Sequence, residues 1–154
     1  QKFLYHVPVD KRDNLVKAYY DLLHGEDEVL KMAVAKAWGL WEADCTTLEF
    51  NPNNEKKFTN AHFALGVAMI ETHYFINNIF IAENQILNNI DKIAKIPAII
   101  VHGRYDMVCP LDNSYELNSV WPSSRLEIIR HAGHAALEPA ITDALIQATN
   151  AMSN

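Results

Sequence analysis

Cysteine is scarce in this chain. Cys45 and Cys109 are the only two, they form no C-x-x-C pair, and no His/Cys spacing suits a metal. That rules out a disulfide-dense scaffold and a zinc-built fold. Two reduced thiols in a cytoplasmic protein are expected, with a single disulfide as the alternative. No apolar run approaches the roughly 20 residues that a membrane helix needs. Basic residues are outnumbered, with 13 Lys and Arg against 19 Asp and Glu and a formal net charge of -6. Such a surface argues against nucleic acid and anionic membranes as partners. No secretory signal, internal repeat or low-complexity tract is visible. A Gly-x-Ser-x-Gly turn is also missing, since Ser114, Ser119, Ser123, Ser124 and Ser153 are not framed by glycines. What remains is 154 residues, 49% hydrophobic and 21% charged, enough for one ordinary domain or two small ones.

The pattern changes character near residue 95. Before it, apolar residues recur at helical spacing. Leu15, Tyr19, Leu22 and Leu23 share one face of a helix expected over 11–23, with His24-Gly25 as its stop. Glu26, Asp27 and Glu28 open a second helix, where the macrodipole favours negative charge, and Val29, Met32, Ala33, Ala37, Leu40 and Trp41 continue it. Asn51-Pro52-Asn53-Asn54 has the chemistry of a loop. A helix apolar on most sides is expected over 58–79, and another over 82–93. After residue 95 the pattern is strand, turn, helix. Ala98–Val101 and Leu126–Ile129 read as short strands, the first an apolar run typical of a parallel strand covered on both faces. Helices are expected over 115–120 and 141–152, the latter opened by Glu138-Pro139. Two strands do not make a stable parallel sheet, so further strands are expected from an N-terminal portion of the same gene product or from a second copy of the chain.

The chemistry sits at the ends of those strands. The first runs into Gly103-Arg104-Tyr105-Asp106, and the second into His131-Ala132-Gly133-His134. An Asp and then a His reach the same sheet edge, which is the second half of a Ser…Asp…His triad in α/β-hydrolase order. His134 suits general-base work because imidazole titrates near neutrality, and Asp106 suits the carboxylate that orients it. The competing readings are a turn histidine after Gly133 and a capping aspartate. His102 and His131 read mainly as structural, with His102 satisfied at the strand end. His62, Glu71 and His73 do not have zincin spacing, and no metal is expected.

Four segments carry a family resemblance: Ala37-Trp-Gly-Leu-Trp-Glu42, Glu71-Thr-His-Tyr-Phe75, Ile99-Ile-Val-His-Gly-Arg-Tyr-Asp-Met-Val-Cys-Pro110 and Ala132-Gly-His-Ala-Ala-Leu-Glu-Pro139. Together they resemble the proline iminopeptidase family of the α/β-hydrolase superfamily, from about residue 5 onward. The resemblance implies an α/β fold: a helical cap domain over 1–93, then the C-terminal part of the hydrolase core over 94–154. It implies a serine aminopeptidase that releases N-terminal proline from peptides, with no cofactor. Asp106 matches the triad acid and His134 the base. Glu42 and Glu71 match cap carboxylates that hold the substrate's free amino terminus. Phe75 matches an aromatic wall of the proline pocket, and Trp41 is a further candidate. The nucleophilic serine and the oxyanion strand have no counterpart here, so the chain alone is expected to be inactive.

Two other readings stay open. A different capped α/β hydrolase, such as an esterase or epoxide hydrolase, has no need of the Glu42 and Glu71 pair. A catalytically silent binding module is the non-enzymatic alternative.

Overall fold

A computed structural model of the chain describes residues 3–153. It divides into two compact units. The first holds residues up to Asp44 together with Asn51–Ala82, and the second holds Cys45–Phe50 and Glu83 onward. The family resemblance implies a boundary between 93 and 94. In the structure 83–93 and the short 45–50 segment group with the C-terminal residues instead.

The first unit is helical. A 3-10 turn, Val9–Asn14, leads into α1, Leu15–Leu23. The Asn14 side chain accepts the Lys17 N–H, which satisfies an otherwise orphaned donor at the helix start. The helix α2 spans Glu28–Thr46, with Asp27 accepting the Leu30 N–H at its start. Asn51 to Asn54, expected to be a loop, instead begins α3, Pro52–Phe58. Asn51 caps it through the N–H groups of Asn53 and Asn54, and Pro52 sits where a missing N–H is harmless. The single helix expected over 58–79 is interrupted. Thr59 closes α3, and Asn60 caps α4, Ala61–Ile76, by accepting the Phe63 N–H. Beyond α4 the backbone turns left-handed at three consecutive residues, Asn78, Ile79 and Phe80, with φ of 51°, 57° and 59°.

These helices close around one core. Val7, Ala18, Tyr19, Leu23, Val34, Ala35, Trp38, Ala64 and Ala68 are all buried in a single cluster. Its larger members remove most of their apolar surface from water, worth about 1.5–3 kcal/mol per side chain. Small residues let the backbones approach. A Cβ on Gly39 would lie 2.1 Å from the Phe58 carbonyl oxygen. Tyr19 donates its hydroxyl to the Phe3 carbonyl, and burial raises its pKa well above that of an ordinary phenol.

The second unit has one small sheet. Residues 82–93, expected to be a helix, contain only a 3-10 turn, Leu87–Lys92, broken at Asn89. The Asn89 side chain instead donates to the Gln85 carbonyl. Strand β1 is Ala98–Gly103, then α5 is Leu111–Val120, β2 is Ser124–Ile129 and α6 is Pro139–Met152. The strands pair in parallel with Ala98 opposite Ser124 and Gly103 opposite Ile129. Both helices pack on the strands. Even so, only Gly103 among the strand residues is fully buried, and each strand has one open edge. Among the described residues, no helix is long and apolar enough to cross a membrane.

Candidate active site

Parallel strands put both of their carboxyl ends at one edge, where open α/β sheets place their ligands. Asp106 lies three residues beyond β1, and His134 lies five beyond β2. Their loops are stitched together by backbone. The Arg104 N–H donates to the Ile129 carbonyl at 2.9 Å, and the Tyr105 N–H to Ala132 at 3.0 Å. Gly103 is required at this seam, because a Cβ there would lie 1.9 Å from the Gly133 carbonyl oxygen.

His134 Nδ1 lies 3.0 Å from Asp106 Oδ2. Asp106 is nearly sealed, with 6% of its side chain exposed, whereas His134 is 37% exposed. The other carboxylate oxygen, Oδ1, accepts the N–H groups of Val108 at 2.9 Å and Cys109 at 2.8 Å. Burial by itself pushes the Asp106 carboxyl up. The Cys109 N–H, the His134 hydrogen bond, the Val108 N–H and the imidazole's charge outweigh it and hold the pKa below its ordinary value. An ionised carboxylate can only accept, so Nδ1 of His134 carries the proton and Nε2 is left as the basic nitrogen. Such a pair can hold an imidazole ready to take a proton.

The His134 loop is fixed independently. The Thr46 carbonyl accepts the N–H groups of His134 at 3.0 Å and Ala135 at 2.8 Å. The Glu138 carboxylate accepts the Gly133 N–H at 2.8 Å and the Leu48 N–H at 3.3 Å. On the other side of Asp106 stands a second imidazole. His102 Nε2 is 3.0 Å from the Cys109 carbonyl and 3.4 Å from Asp106 Oδ2, and His102 Nδ1 is 2.7 Å from Ser114 Oγ on α5.

The remaining candidates belong to the helical unit. Glu71 on α4 accepts the Trp38 indole N–H at 2.6 Å. Trp38 also meets Trp41 edge-to-face at 5.6 Å and Phe75 in a tilted contact at 6.3 Å between ring centroids. Trp38, Trp41 and Glu42 share one face of α2 at i, i+3 and i+4, and Glu71 and Phe75 share one of α4. Glu42 is buried, Glu71 is half-buried, and Trp41 and Phe75 stay partly exposed. The structure thus gathers Glu71, Trp41 and Phe75 around Trp38. Trp38 is buried in the helical core and is not among the site residues that the motifs single out. The clue was available, since a buried indole N–H needs an acceptor.

A cavity of about 650 Å³ is lined by Arg104, Tyr105, Ile128, Arg130 and His131, and Asp106 and His134 are not in its wall. Among the described residues, no three His, Cys, Asp or Glu side chains gather as metal ligands would.

Residues 1–140 match the family model of the alpha/beta hydrolase fold, and the chain belongs to that family. Several relatives are named proline iminopeptidase. The chain is 44% identical over 150 residues to the proline iminopeptidase of Xylella fastidiosa (strain 9a5c), a match covering 97% of this chain and 48% of that protein. It is 38% identical over 149 residues to the proline iminopeptidase of Neisseria gonorrhoeae, covering 96% of this chain and 46% of that one. The proline iminopeptidase of Arabidopsis thaliana is 38% identical over 148 residues, covering 95% and 39%. The chain therefore spans about half the length, or less, of these relatives.

Proposed function

We propose that this chain supplies the acid, the base and the amino-terminus clamp of a serine aminopeptidase that releases N-terminal proline from peptides. The observation that carries the reading is the Asp106–His134 pair, 3.0 Å apart at the carboxyl edge of parallel strands. The relatives named proline iminopeptidase support the substrate class.

In this reading the nucleophilic serine lies outside these 154 residues, since no serine here has a glycine frame. The serine attacks the prolyl amide carbonyl. His134 Nε2 takes the serine proton and delivers it to the leaving amine, then repeats the cycle with water to release the proline. Asp106 holds the Nδ1–H and stabilises the imidazolium. A prolyl ammonium offers two N–H donors, and Glu42 and Glu71 would accept them, with Phe75 and Trp41 as apolar walls. In this reading the helical unit acts as a cap. The open outer edges of β1 and β2 support completion of the sheet by further strands, from the same gene product or a second copy.

The test is kcat/KM of the full-length protein on a free-amino proline amide beside its N-acetylated twin. Strong preference for the free amine is expected. Equal rates, or turnover of simple esters alone, would retain a hydrolase and remove the aminopeptidase.

A further inference from the structure

We infer that His102 is a positioning residue for the Asp106–His134 pair, acting through its Nε2–H on the turn that carries Asp106. The inference rests on the triad role proposed for that pair.

The geometry defines how it would act. His102 Nε2 faces two acceptors, the Cys109 carbonyl at 3.0 Å and Asp106 Oδ2 at 3.4 Å, so this nitrogen carries the hydrogen. Cys109 in turn gives its own N–H to Asp106 Oδ1 at 2.8 Å. One imidazole therefore pins the carbonyl of the residue whose amide pins the carboxylate. The ring itself is held from behind, with Nδ1 2.7 Å from the Ser114 hydroxyl. The chain runs from Ser114 on α5, through His102 on β1, to Asp106 and on to His134. Its middle is largely dry, since the His102 side chain is 11% exposed and that of Asp106 6%. A carboxylate that must meet an imidazole needs a fixed rotamer, and partners of this kind supply one. His102 Nε2 lies 3.4 Å from Oδ2, the oxygen that His134 Nδ1 meets at 3.0 Å.

The two nitrogens can be separated by isosteres. Glutamine at 102 can return a donor near the Nε2 position but lacks a partner for Ser114. Asparagine can return a partner for Ser114 but no donor to Cys109. The experiment compares His102→Gln and His102→Asn in the full-length protein, assayed on a proline amide and on a simple activated ester. The inference predicts a loss of about threefold in kcat for Gln and of about tenfold for Asn, the scale of one lost hydrogen bond, with KM and melting temperature held. Asn equal to or better than Gln would overturn it, as would matching losses that follow the melting temperature.

Ser114→Ala, a small change, covers the case in which both variants fail to fold. It should lower kcat a fewfold at unchanged KM, and an unaltered kcat would contradict the inference. Turnover of the ester alone removes the proline reading and leaves the comparison intact on the ester. Without any turnover the triad reading fails, and the comparison moves to the low-field proton resonance of the His134 Nδ1–H. That signal should shift in His102→Asn more than in His102→Gln, and an unmoved signal in both would overturn the positioning role.

Discussion

The helical unit and the α/β unit are built on opposite terms. The first buries Tyr19, Leu23, Val34 and Trp38 in a closed core. The second presents two strands that are half-buried along nearly all their length, each with an open edge. Yet the second carries the best-formed chemical geometry, because backbone contacts rather than apolar burial hold its loops. Gly103, Ala132, Gly133 and the Thr46 carbonyl fix His134 and Asp106 with little core beneath them. Stability and chemistry are thus unequally shared. In the proposed function the α/β unit would carry reaction chemistry and the helical unit substrate selection.

The sharpest way to break that division is at the pair itself. Asp106→Asn in the full-length protein should lower kcat by about 10⁴-fold, because the wrong imidazole tautomer is then favoured. The loss should appear equally on amide and ester substrates, and steady-state kinetics on both will check it. Next in size is the backbone seam. Gly103→Ala forces a Cβ onto carbonyl oxygens that cannot move aside and should cost about 3 kcal/mol or more, read from denaturant unfolding. A paired core comparison follows. Leu23→Ala, fully buried, should cost about 3 kcal/mol, and Ile100→Ala in half-buried β1 only about 1–2 kcal/mol in this chain. Equal costs would mean the strands are better packed than their exposure indicates.

The smallest effect is electrostatic. Asp106 has its carboxyl pKa lowered from 3.8 in the folded protein. Its contribution to stability is fully present above that unfolded value and is lost as pH falls through the depressed folded one. Unfolding midpoints measured across that acid window should decline, and Asp106→Asn should flatten the decline.

The parts legible in the sequence were those set by local rules. The apolar run at 98–101, the Gly-Arg-Tyr-Asp ending and the Ala-Gly-His ending located both strands and the loops that follow them. Local rules misled where one residue type serves two structures. Asn51-Pro52 opens loops and helices alike, and here the Asn51 side chain satisfies the first amides of α3. Asn60 similarly divides what looked like one apolar helix. Asn89 has non-helical backbone angles and donates its side-chain amide to the Gln85 carbonyl, and 82–93 holds only a 3-10 turn. The partners of Glu71 and His102 were hidden for another reason. Trp38 is 33 residues from Glu71, and Ser114 meets His102 across a strand and a helix. Spacing along the chain carries no sign of such meetings.

The division of labour is tested most directly by Glu71→Gln in the full-length protein, assayed on a free-amino proline amide and on a simple ester. On the amide kcat/KM should fall about tenfold to a hundredfold, the loss of a hydrogen bond to a charged group, while the ester is hydrolysed as before. Equal loss on both substrates, or no loss on either, would contradict it.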